Sequence, residues 1–324
     1  MKLLSTLGLC LLMLSSCSSK KKEAELLEMT RPDWLKDRPV SSMYFYGIGI
    51  TPKQGGEIYY TERAKDKALA DIAKQINTKI KSEQSFYKME DNKGVHEYIQ
   101  SRVRATSNEF LEAYEYVDKW EDLTNYYTFY RLSKNEFYAR KAKRKEDALK
   151  LSWQKLQQAQ KAEQHYDYKQ ALEQYAAAID AISGYLNEQT ALNNTDLFEV
   201  SRAGLTNIVT AMELVFEPKE ITANTQQTIA EGKASVLIYC HKEVARNIPV
   251  RFNYSGGFLS KDKYQSAIDG RVKLPEFTLA NKTETMKVAI DLKALGRQIT
   301  KNLIVRQIVE KQKPATATLP IKVI

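Results

Sequence analysis

Three cysteines and three histidines are the side chains of this 324-residue chain best suited to nucleophilic or metal chemistry. Cys10, Cys17 and Cys240, and His96, His165 and His241, fall in separate segments, and neither Cys-x-x-Cys nor His-Glu-x-x-His occurs. A structural or catalytic metal needs several ligands held together, so this spacing predicts no metal site. Cys240 and His241 are neighbours, but consecutive side chains on a strand point to opposite faces. Gly47-Ile48-Gly49 lacks the third glycine of a dinucleotide loop, Pro52 intervenes, and the next helix begins too late to cradle a phosphate. Close packing is the expected use of that pair. No Gly-x-Ser-x-Gly elbow is present. The adjacent carboxylates Glu121-Asp122 and Glu146-Asp147 sit in charged turns or helices, where solvation is the default. The expectation is a protein that is not an enzyme and takes no cofactor, with a hydrolase assembled from distant residues as one alternative.

One cysteine has a specific context. Lys2 is followed by the apolar stretch Leu3 to Leu14, the n-region and h-region of an export signal. A helix of that length spans about 18 Å, short of a hydrocarbon core about 30 Å thick. The stretch closes in Leu14-Ser15-Ser16-Cys17, which resembles the lipobox of bacterial lipoproteins, where the cysteine is acylated and becomes the new N-terminus. The resemblance implies a signal peptide over 1–16, lipidation at Cys17, a tether over 17–29 and stable membrane anchoring through more than one acyl chain. Ser18 and Ser19, in place of Asp, favour the outer membrane. Lys20-Lys21-Lys22, in place of an acidic run, favours a body facing the periplasm. Loss of the signal leaves 308 residues and lowers the formal charge from +9 to +8. Cys240 then has no partner for an internal disulfide, and the strand-like Ser235–Cys240 predicts its burial.

These positions hang on elements that the hydropathy pattern predicts. With 43% hydrophobic residues, 27% charged, 8 Pro and 13 Gly, the chain is neither a disordered tail nor a collagen-like rod. Met43 to Ile50 reads as a buried strand. Ala64, Ala68, Ile72, Ile76 and Ile80 form an i, i+4 row on a long amphipathic helix. A second helix covers about Val95 to Asn108, and Phe110–Asp122 with Asn125–Leu132 forms an aromatic hairpin. One face of that hairpin is core, and an exposed second face would bind a partner. The class is α+β, with an N-terminal α+β layer domain over 30–143. A helical region over 144–214 contains a hairpin with a polar turn near Asp167, and a further helix follows the Asn193–Asp196 cap cluster to about Met212. Short strands over 215–324, including Leu303–Val309 and a final edge strand from Thr318, predict an immunoglobulin-like β-sandwich.

Arg31-Pro32-Asp33-Trp34-Leu35, Tyr46-Gly47-Ile48-Gly49, the Ala64 to Ile80 helix and Tyr127-Thr128-Phe129-Tyr130-Arg131-Leu132 follow one another behind the lipobox. In that order they resemble the Lpp-twenty family of bacterial lipoproteins over roughly residues 30 to 140. The resemblance implies an envelope lipoprotein with a small α+β domain and no assigned reaction. Ala171, Tyr175 and Ala178 resemble the second helix of a tetratricopeptide repeat, in a single copy.

The densest basic run is Arg140, Lys141, Lys143, Arg144 and Lys145. An exported protein does not meet cytoplasmic nucleic acid, so anionic lipid or an acidic glycan is the expected contact, against a plain solvated helix face. The expected role is a lipid-anchored scaffold or regulator of an envelope assembly, with envelope proteins or peptidoglycan as partners. A glycan-binding module that activates a wall synthase is the other alternative.

Overall fold

The computed structural model describes residues 25–82, 93–108, 113–254, 256–280 and 283–324, a mixture of helices and several separate sheets. Cys17 and the rest of the signal and lipidation motif lie outside the described residues. The chain divides into two compact units, one drawn from residues 1–84 and 104–143, the other from 85–103 and 144–324.

In the first unit, β1 (Tyr44–Pro52), β2 (Tyr114–Glu121) and β3 (Asn125–Ser133) form an antiparallel sheet in the order β1-β3-β2. Helix α1 (Glu57–Ser82) packs on one face. The i, i+4 row supplies its buried stripe: Ala64, Ala68 and Ile72 are fully buried and Ile76 nearly so. Small residues let the helix come unusually close. A Cβ on Gly49 would overlap the carbonyl of Ala64, and one on Gly47 the carbonyl of Ala68. The two glycines are therefore a packing device.

The close approach brings a second set of contacts within reach. β1 is an edge strand, and an edge normally leaves a row of backbone groups unpaired. Here Lys67 Nζ donates to the Ile50 carbonyl at 2.6 Å, Asp71 Oδ2 accepts from the Ile48 amide at 3.1 Å, and Gln75 Nε2 donates to the Tyr46 carbonyl at 2.6 Å. Residues four apart stack along one helix face, so the three side chains stand in for a neighbouring strand. Arg38 reinforces the middle rung through Asp71 Oδ2 at 2.5 Å.

The other face of the sheet is covered in part by the helical turn Asp33–Lys36. Trp34 stacks on Phe129 with ring centroids 5.1 Å apart, and its indole N–H donates to Asp118 Oδ2 at 2.8 Å. A bulge in β2 between Tyr116 and Asp118 makes that bond possible. It shifts the register so that Asp118, rather than Val117, stands opposite Phe129.

Helix α2 (Lys93–Asn108), predicted from about Val95, is divided between the units, and in the second unit α3 (Lys134–Gln164), which begins in the first, turns into α4 (Tyr168–Ile182). Ser152 Oγ donates to the Ala178 carbonyl at 2.9 Å and the Tyr175 hydroxyl to Glu163 at 2.8 Å, which makes the pair antiparallel. Asp167 caps α4 by accepting from the Gln170 amide. α5 (Leu197–Thr210) starts at Asp196, whose carboxylate accepts from the Phe198 and Glu199 amides, as the cap cluster predicts. The Tyr175 ring lies over Gly204 of α5, where a Cβ would overlap it.

The longer strands that follow are β4 (Met212–Glu217), β5 (Ile221–Ala223), β6 (Ser235–Cys240), β7 (Pro249–Tyr254), β8 (Lys263–Gln265), β9 (Arg271–Lys273), β10 (Thr283–Ile290) and β11 (Thr316–Val323). One sheet joins β4, β6 and β9; the other runs β8-β7-β10-β11-β5, antiparallel except for the β11–β5 pair. Two expectations are corrected. Leu303–Val309 is a helix, α7 (Leu303–Glu310), preceded by α6 (Leu292–Ile299). Its β-branched residues read as strand, but Ile304, Val305, Ile308 and Val309 bury one helical side and Asn302 caps the first turn. The last strand is an edge only in part, because β5 pairs on its outer side from Ile321 to Val323. Pro320 sits one residue before that pairing begins, where its missing N–H leaves no gap.

Substituting Gly49→Ala should destabilise the first unit by about 2 kcal/mol or more, since the added methyl meets a backbone carbonyl that cannot move aside. Asp71→Ala should cost about 1–2 kcal/mol by stranding the Ile48 amide. Urea unfolding followed by tryptophan fluorescence checks both, and wild-type midpoints would remove the close approach from the account.

Candidate functional site

Two grooves carry polar and aromatic groups. The first, about 330 Å³, lies in the first unit at the β2–β3 turn and is lined by Leu27, Arg31, Trp120, Leu123, Thr124 and Tyr127 among others. Asp122 organises the turn. Its Oδ1 accepts from the Thr124 amide at 2.7 Å, the Thr124 hydroxyl at 3.0 Å and the Asn125 amide at 2.6 Å, while Oδ2 accepts from the Tyr127 hydroxyl at 2.9 Å. Partial burial works against the charge, but these four donors outweigh it and bring the carboxyl from 3.8 down to about 2. The turn thus holds Leu123 outward, 47% exposed. Trp120 and Tyr127 form the groove's aromatic wall, their centroids 5.2 Å apart. The Arg31 guanidinium pairs with Glu28 at 2.9 Å.

The second groove, about 500 Å³, lies in the second unit between Lys161, His165, Asp167, Gln170 and Arg246. His165 Nδ1 contacts the Lys161 carbonyl at 2.7 Å, and Arg246 stands 3.9 Å from Asp167. Cationic and amide groups of this kind suit an anionic or hydroxyl-rich ligand. Neither groove pairs a nucleophile with a base.

No protein-family model matches this chain, and no curated protein matches it.

The basic run lies on α3. Arg140, Lys143 and Arg144 are exposed, whereas Lys141 and Lys145 are half-buried, and Lys145 is held by Glu188 at 2.8 Å. At about 100° per residue the five span about 200° of the helix, so they do not form one stripe. Among the described residues no three His, Cys, Asp or Glu side chains are placed to hold a metal ion. Cys240 is fully buried against the Ile208 carbonyl, and burial, with Glu163 and Glu213 adding to it, pushes its thiol up to about 12. His241 lies in the turn that follows, at φ 49°. Glu121 pairs with Lys53 and Glu146 with Lys150, so the paired carboxylates serve ion pairs and a turn. One face of the aromatic sheet packs on α1; on the other, Trp34 covers Phe129, while Ile50 is 45% exposed and Trp120 and Tyr127 line the groove. The part played by Asp122 was missed in the sequence; Asp-x-Thr, which favours side-chain capping of a turn, is the signal that could have found it.

The depressed Asp122 carboxyl sets a pH dependence. Its contribution is complete above about pH 4 and is lost as pH falls through about 2, because the unfolded chain binds the proton first. After allowance for solvent screening, Asp122→Asn should cost about 1 kcal/mol at pH 7, and the difference from wild type should vanish near pH 2. Denaturation midpoints measured across that range check it; a pH-independent difference would show that the charge is not responsible.

Proposed function

We propose that this protein is a lipid-anchored, non-enzymatic component of the bacterial envelope. Cys17 would tether it to the outer membrane with its body in the periplasm, where it scaffolds or regulates an assembly. The observation that carries the reading is Leu14-Ser15-Ser16-Cys17 directly behind a short apolar stretch. The ordered motifs resembling the Lpp-twenty family support it. So does the first unit, in which the motif glycines and tryptophan each have a packing task. We read the second unit as a single tetratricopeptide-like hairpin joined to an immunoglobulin-like sandwich. The sheet β4-β6-β9, the sheet β8-β7-β10-β11-β5 and the parallel β5–β11 pair support that assignment. Such a body has surfaces for partners, and tethering raises its effective concentration against anything held in the same layer.

Growth with a clickable fatty acid should label the wild-type chain, and Cys17→Ala should lose the label and leave the membrane fraction. Label that survives in the variant would overturn the anchor. A second reading, binding of an acidic wall glycan, is favoured by Lys161 and Arg246 in the larger groove. Lys161→Glu with Arg246→Glu should then reduce co-sedimentation with purified sacculi several-fold, and unchanged sedimentation would discard this reading.

A further inference from the structure

The larger groove, which lies wholly within the second unit, holds hydrogen-bonding capacity that the protein itself does not use. Among the described residues, Lys161 Nζ and the Arg246 guanidinium make no hydrogen bond. Arg246 meets Asp167 at 3.9 Å, beyond hydrogen-bond length, whereas nearby Lys169 closes on Glu173 at 2.8 Å. His165 Nδ1 must donate to the Lys161 carbonyl, which leaves Nε2 of the neutral ring as an acceptor. The Gln170 side chain adds an amide. An opening of about 500 Å³ falls within the range of about 300–1,000 Å³ typical of small-ligand sites.

These groups stand on backbone that is fixed without a ligand. α3 ends with Tyr166 in the left-handed region at φ 61°, where the Tyr166 amide donates to the Glu163 carbonyl and the Asp167 amide to the Ala162 carbonyl. That pair of bonds is a Schellman closure, and Asp167 also caps α4. Across the groove, the backbone on either side of Arg246 is tied down, Ala245 donating to the Ile238 carbonyl and Asn247 to the Ser266 carbonyl. Donors carried on closed turns keep their places before anything binds.

Charge narrows the ligand class. Lys161 and Arg246 are balanced by one carboxylate, Asp167, so with His165 neutral the groove carries a single net positive charge. A monoanion matches it. A phosphate dianion would bring a second negative charge against Asp167. The planar fork of Arg246 suits a carboxylate in shape, while His165 Nε2, the Gln170 amide and Asp167 Oδ2 are left for hydroxyl groups. We infer that the groove takes a sugar residue bearing one carboxylate, held at Lys161 and Arg246, and that Asp167 acts against phosphorylated sugars. The inference deepens the acidic-glycan reading and rests on it.

Saturation-transfer NMR titrations of the full chain test this with glucose, glucuronate and glucose 6-phosphate, which share a ring and differ at one carbon. Glucuronate should bind at least about tenfold more tightly than glucose, the value of a charge-assisted hydrogen bond. It should also bind several-fold more tightly than glucose 6-phosphate. Lys161→Glu with Arg246→Glu should remove the preference over glucose. Asp167→Asn keeps an oxygen able to cap α4 and should shift the ranking toward glucose 6-phosphate, a gain of binding that misfolding does not produce. Equal binding of glucose and glucuronate, a wild-type preference for glucose 6-phosphate, or an unchanged ranking in Asp167→Asn overturns the carboxylate selection. Should sacculi still sediment in a manner that depends on Lys161 and Arg246, such a result leaves the glycan reading standing. Sedimentation indifferent to both residues overturns the reading and the inference together.

Discussion

The first unit depends on how closely one helix can approach one strand. Gly47 and Gly49 remove two side chains from β1, and Ala64 and Ala68 keep the facing side of α1 flat. Backbone then meets backbone, and this brings the functional ends of Lys67, Asp71 and Gln75 to the strand's outer edge. A larger residue at either glycine would lift the helix and break all three bonds together. One steric requirement thus controls core packing and polar satisfaction at once, which is why the glycines and alanines belong to one motif and cannot be varied separately.

The opposite face follows a different logic. Trp34 comes from outside the sheet, and its indole is fixed by Asp118, which reaches it only because β2 is bulged at Val117. A strand without the bulge would present Val117 opposite Phe129 and leave the indole N–H without that acceptor. The short segment holding Trp34 therefore depends on a one-residue irregularity more than eighty positions away in the chain.

What was legible in the sequence followed from local periodicity and capping. The Ala64 to Ile76 row, the Asp196 cap and the aromatic hairpin depend on residues a few positions apart, and each lies where the pattern puts it. The illegible parts depend on distant partners. Leu303–Val309 is rich in β-branched residues and reads as strand, but its burial on one helical side is set by the helices it meets. Pro320 reads as an edge marker, and only the position of β5 shows that the pairing on that side starts one residue later. In the groove, Trp120 was visible as an aromatic of the hairpin. Its place beside Leu27 and Arg31 required the N-terminal segment to be seen against the turn.

The side-chain rungs along β1 have a consequence for crowding. Chains fixed to a surface move in two dimensions, and their local concentration far exceeds that of the same number of molecules in bulk. Under those conditions an open strand edge recruits its neighbours, and sheets extend from one molecule to the next. By occupying the Tyr46 and Ile50 carbonyls and the Ile48 amide, the helix leaves that edge with less to offer a second chain. The same three side chains that complete a fold also make that edge a poorer template for a neighbouring chain.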